Sequence, residues 1–200
     1  MGVLAARQFA KAATKLRCQF PKPAKPSDWP LEVDNSVQAH AAYLLIDLND
    51  IWANFCRSMI LDNALGRAFD ATGAPIVPTH NLVCEVAILA AIKTKRGYEP
   101  KWHNAVEVVK AESKCSTNKS AQIRIALGAL SSPAPFINTV RNYLAHRRSD
   151  CRQRLQVASG YRAAMKFNAY KIGNYLRPDG RTNIEFWTDE LIDIAYASVA

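Results

Sequence analysis

The segment from Asn35 to Leu65 constrains the fold most. Leu44, Leu45, Leu48, Ile51, Trp52, Phe55 and Met59 recur along it at three- and four-residue steps. That period belongs to a helix buried along one face, not to a strand, whose side chains alternate every second residue. Asp34 or Asn35 can cap the start, and Gly66 stands just beyond the end. A helix this long needs several partners to cover its apolar face, so the rest of the chain must supply them.

The remaining sequence reads the same way. Residues 2–18 suit a first helix, and Gln19 to Pro30, with Pro21, Pro23, Pro26 and Pro30, reads as extended linker. Asp70 to Pro78 holds Gly73, Pro75 and Pro78 and reads as a loop. Helices are expected over Asn81–Lys95, with Val83, Val86, Ala87, Ala90 and Ala91 inward and Gly97 ending it, and over Lys101–Lys114 and Lys119–Leu130. Ser132 as a cap with Pro133 at the first helical position predicts another, running to about Gly160. Tyr161–Arg177 and Ile184–Val199 complete the set, with a turn at Pro178-Asp179-Gly180. No hairpin signal appears. The expected fold class is all-α: a basic N-terminal helix or arm and proline-rich linker over residues 1–30, then one all-helical domain over 31–200.

Charge narrows the partners. Residues 91–181 carry eighteen Lys/Arg against five acids, whereas residues 31–90 carry two against seven. A cationic density of this kind suits a polyanion, although a solvated basic surface or an acidic protein partner fits it too. The five cysteines are widely spread without a C-x-x-C pair, which argues for a reducing, cytoplasmic setting and against a zinc ribbon. No apolar run is long enough to cross a bilayer, so no membrane partner is expected. Met1 to Arg17 is Ala-rich and basic without an acid, which fits a first helix, an arm on RNA or a transit peptide.

Within the basic segment lies Arg141-Asn142-Tyr143-Leu144-Ala145-His146. A guanidinium offers a phosphate a fixed fork of donors, and an imidazole moves protons near neutral pH. On a helical wheel Phe136, Val140, Leu144, Cys151 and Leu155 form a core-facing stripe, with Arg141, Arg148 and Arg152 along one flank. Asn142 and His146, one turn apart, lie opposite the stripe with Ser149 and Gln153, so the amide is expected to orient the imidazole. A histidine pointing away from its own core gains partners only from a second copy. A symmetric dimer would bring two Arg and two His into one cleft, with the 35–65 helix supplying much of the interface.

The R-N-x-x-x-H hexamer at Arg141–His146 resembles the signature of HEPN domains (higher eukaryotes and prokaryotes nucleotide-binding). The all-helical setting, the late helix after a proline-containing loop and the basic stretch after the histidine are similar as well. The resemblance implies a compact helical bundle and a homodimer whose two motifs form one composite ribonuclease site. In that family Arg141 would bind the scissile phosphate, His146 would transfer protons, and Asn142 would position the histidine or the phosphate. RNA would be cut by attack of its 2′-hydroxyl on the adjacent phosphate, without metal or other cofactor. Arg147, Arg148 and Arg152 would attract RNA, and a toxin or defence effector of this type would answer to a cognate antitoxin or regulatory protein. Arg148 stands where one subgroup carries an AMP-accepting tyrosine, so that route of silencing is not implied. The alternative is a non-catalytic RNA- or nucleotide-binding module, or scaffold, partnering another enzyme. A further rival is an unrelated helical protein in which the hexamer is coincidence.

Three other groupings read as structural. His80 and Cys84 stand four apart but lack a second ligand pair. Asp47 and Asp50 fit surface or interface charges. Tyr98, Trp102 and His103 could stack on a base, but packing is the expected role. No phosphate-cradling glycine loop or nucleophile elbow is present.

Overall fold

The computed structural model describes residues 2–22, 33–94, 96–128, 133–146, 149–159 and 168–200. These form helices α1 (Gly2–Gln19), α2 (Asn35–Ala64), α3 (Glu85–Ile92), α4 (Ala105–Lys114) and α5 (Ser120–Leu127). Helices α6 (Ala134–His146), α7 (Ser149–Ser159), α8 (Ala169–Asn174) and α9 (Asn183–Ala197) follow. Among the described residues there is no strand, only isolated bridges such as Phe69 with Pro75 and Pro78 with Thr117. The chain is all-α, as its periodicity predicts, and among the described residues no helix is long and apolar enough to cross a membrane.

Helix α2 begins and ends where its sequence says. Asp34 accepts from the Ser36 N–H at 2.7 Å, satisfying one of the donors a helix start leaves open. Beyond its end Gly66 takes φ +65°, which lets the chain turn back so that the Gly66 and Arg67 amides bond the Asn63 and Asp62 carbonyls. Between these ends α2 touches α1, α3, α4, α6 and α8. Leu44, Leu45, Leu48, Trp52, Phe55 and Met59 are all buried by these neighbours. The apolar face of the long helix is therefore mostly covered by its own core, while Tyr43 stays exposed and Ile46 and Ile51 half-buried.

Helix α1 belongs to that core. Ala6, Phe9, Ala13 and Leu16 are buried, and Phe9 packs against Trp52 and Phe55 with ring centroids 5.4 and 5.3 Å apart. Of the readings open for the N-terminus, a first helix is the one seen, and it packs on α2 and α9. Its basic residues Arg7, Lys11 and Lys15 stay exposed. The proline-rich expectation falls mostly on residues 23–32, outside the described residues.

Helix α3 is shorter than expected, and its face is different. Residues 81–84 are not helical, because His80 Nδ1 accepts from the Leu82 N–H at 3.0 Å and holds the chain in a local turn. With the helix starting at Glu85, Ile88 and Ile92 face the core, while Val83 and Val86 are 88% and 77% exposed. Ala90 is also exposed, and Ala87 and Ala91 are half-buried. Helix α4 likewise starts late, at Ala105, because Asn104 accepts from the Val106 N–H at 3.0 Å. The segment before it is anchored by Trp102, whose buried indole donates to Glu99 at 2.9 Å. Glu99 in turn receives Arg57 Nε at 2.9 Å. At the C-terminal end, Thr182 and Glu185 form a reciprocal capping box that starts α9.

Candidate active site on α6

Helix α6 is set up by Pro133, whose carbonyl accepts from the Ile137 amide at 2.9 Å. The proline thus sits just before the first helical residue. Ser131 and Ser132, expected to cap it, lie outside the described residues. Ala134, Ile137, Val140 and Leu144 are buried against α2 and α9. That contact fixes the rotation of the helix and decides where the motif points.

Arg141 and Asn142 are half-buried, and His146 is exposed at the last helical position. Arg141 Nη1 donates to Asn142 Oδ1 at 3.4 Å, and Asn142 Nδ2 donates to Asn138 Oδ1 at 3.4 Å. The Asn142 amide is therefore engaged by the neighbouring guanidinium and by the amide one turn earlier. No hydrogen bond joins it to His146, the partner the wheel suggests, although Asn138 and His146 both stand one turn from it. Arg141 and His146 also leave α6 in different directions, ~140° apart at 100° per residue.

The expected helix from Pro133 to Gly160 is represented by α6 and α7, which pack on each other on either side of residues 147 and 148. Cys151 and Leu155 are buried, as the apolar stripe predicts. Arg152 and Gln153 are exposed on α7. Arg147 and Arg148, expected to attract RNA, lie outside the described residues.

A second histidine stands beside the motif. His103, half-buried just ahead of α4, has its pKa held below the ordinary value first by burial, then by the charges of Lys101 and Arg141. Glu107 and Asp50 oppose the shift. Charges from three elements therefore act on His103: Arg141 on α6, Lys101 and Glu107 around the start of α4, and Asp50 on α2. Asp47, one turn before Asp50, has its carboxyl pKa raised by burial and by the Asp50 charge. Burial and the neighbouring cations favour the neutral form of this imidazole. No spacing rule could reveal this pairing, since only tertiary packing brings His103 to Arg141.

Trp102 is buried as expected and Tyr98 is exposed. His80 is tied to the Leu82 amide, and Cys84 is exposed. Among the described residues no three His, Cys, Asp or Glu side chains gather as metal ligands.

No family model matches this chain, and no curated protein or solved structure matches it. Function is therefore read from α6 and its surroundings.

Proposed function

We propose that the protein is a metal-independent endoribonuclease of the HEPN type, acting as a homodimeric toxin or defence effector on single-stranded RNA. The observation that carries this reading is the hexamer on α6, with half-buried Arg141 and exposed His146 diverging from one helix. One copy cannot easily turn both side chains on one phosphate. Two copies can, if each presents its His146 to a cleft shared with the other's Arg141.

In such a cleft one imidazole takes the proton of the RNA 2′-hydroxyl. The 2′-oxygen then bonds to phosphorus while the bond from phosphorus to the 5′-oxygen breaks, and a second imidazole protonates that leaving oxygen. The products are a 2′,3′-cyclic phosphate and a 5′-hydroxyl. Arg141 stabilises the charge that builds on the phosphoryl oxygens. Asn142, bonded to Arg141, fixes the direction of its guanidinium.

The test is RNA cleavage by the purified protein in excess EDTA. Wild type should cut and leave cyclic-phosphate ends, while His146→Ala and Arg141→Ala should each lose about 10²–10⁴-fold in rate. Cutting that survives both substitutions would place the chemistry elsewhere.

A second reading, a non-catalytic RNA-binding module partnering another enzyme, is favoured by the absence of a hydrogen bond between Asn142 and His146. A folded dimer that binds RNA and never cuts it would select this reading.

A further inference from the structure

Outside the motif, a charged concavity lies between the C-terminal end of α3 and α4. It encloses about 430 Å³. Its floor is apolar, made by Ile92, Pro100 and Ala111, all buried. Its rim carries Lys93, Lys110 and Lys114, all exposed. Lys114 donates to the Lys93 backbone carbonyl at 3.1 Å, which draws the two sides of the groove together.

The lysines are not answered by acids. Glu107 lines the groove, but its carboxylate accepts from the Lys101 backbone N–H at 2.7 Å. Glu99 feels the charge of Lys93, but it is held by Arg57 and Trp102. Among the described residues no carboxylate is ion-paired with Lys93, Lys110 or Lys114. Exposed Arg96 lies on the turn between Thr94 and Tyr98 that continues the rim. An apolar trough edged by unpaired lysines is complementary to a polyanion that also has rings to lay down.

The groove has a direction as well. At its Pro100 end the chain runs through Lys101 and Trp102 to His103, just ahead of α4. From that end Lys110 and Lys114 follow one turn apart, ~6 Å along the axis, a step comparable to that between phosphates of an extended strand.

We propose that this groove carries a stretch of the RNA strand. The backbone phosphates lie on the ammonium groups of Lys93, Lys110 and Lys114, and a sugar or base rests between their exposed aliphatic stems. Lysine suits this role because it binds phosphate as a mobile point charge without demanding one orientation, as a sequence-tolerant track requires. The proposal rests on the ribonuclease reading for its substrate class, but its test does not depend on cleavage.

The experiment measures binding of the full chain to a fluorescent, 2′-O-methylated single-stranded RNA, which cannot supply the attacking hydroxyl. Wild type is compared with K110Q/K114Q and K110E/K114E across a salt series, with circular dichroism to verify folding. Removing two phosphate contacts should lower the slope of log K against log salt by about 1.4 and weaken binding by about tenfold at moderate salt. K11Q/K15Q, on α1, serves as a control and should leave both unchanged. Wild-type affinity and slope in both folded groove variants would overturn the track, whether or not Arg141 and His146 cut RNA. Lost binding in the variants of a protein that never cuts unmodified RNA would uphold the track and sink the catalytic reading. No RNA affinity, with binding of poly-glutamate that the lysine variants abolish, would overturn it in favour of an acidic protein partner.

Discussion

Arg141 on α6 and His103 ahead of α4 lie close enough for the guanidinium to disfavour the imidazolium. Burial does most to depress the His103 pKa, Lys101 and Arg141 add to it, and Glu107 and Asp50 pull the other way. The folded protein therefore favours the neutral imidazole at this position. Because the unfolded chain protonates this histidine first, near pH 6.5, its contribution to stability falls as pH drops through the imidazole range.

Replacing Arg141 with Gln removes one of the two neighbouring cations while keeping the side chain polar. The His103 imidazole should then titrate closer to its ordinary value, though still below it, since burial persists. A proton NMR titration of the ring C–H signals measures this directly. An unchanged His103 titration would mean that Arg141 points elsewhere in solution.

Arg152 is exposed on α7, away from the core stripe of Cys151 and Leu155. If it meets RNA only through phosphate, Arg152→Gln should weaken binding evenly across sequences and lower the salt slope by about 0.7. Its single-turnover cleavage rate at saturating enzyme should match wild type. A large loss of that rate would move Arg152 from attraction into the chemistry.

The parts legible in the sequence are those where one helix carries its own information. Leu44 to Met59 specified both the period and the buried face of α2, and Asp34 and Gly66 marked its ends. Helix α3 was not legible in the same way. From Glu85 to Ile92 nearly every residue is apolar, so periodicity cannot say which side faces inward, and contact with α2 and α4 decides it. The motif itself was readable because its residues are adjacent in sequence. Its environment was not, since the engagement of Asn142 by Asn138 and the approach of His103 depend on rotamers and on packing between distant segments.

Phe9 tests whether α1 is structural. It is 4% exposed and wedged between Trp52 and Phe55. Phe9→Ala should cost about 3–5 kcal/mol, a loss large enough to approach the whole stability of a domain this size. Urea denaturation followed by circular dichroism gives the value. A loss under about 1 kcal/mol would mean that α1 is a detachable arm after all.

Asp70 offers a pH test of the loop that leads out of α2. Its carboxylate accepts from the Thr72 hydroxyl at 2.7 Å and from the Thr72 and Ala74 amides at 2.9 and 3.0 Å. Lys119, at the start of α5, lies 2.9 Å away. These donors, the Thr72 hydroxyl first and Lys119 next, hold the carboxyl well below the usual carboxylate range. A depressed folded pKa means that the unfolded chain takes up the proton first as the solution is acidified. The stabilisation is therefore fully present above the unfolded carboxyl value, about 3.9, and is lost as pH falls below it towards the folded value. Asp70→Asn keeps the shape but not the charge, so it should melt below wild type at pH 7 by an amount that holds steady down to about pH 4. Below that the two melting curves should converge. A gap that persists undiminished at pH 2 would show that the amide fails through geometry, not charge, and that Lys119 contributes little to anchoring the loop.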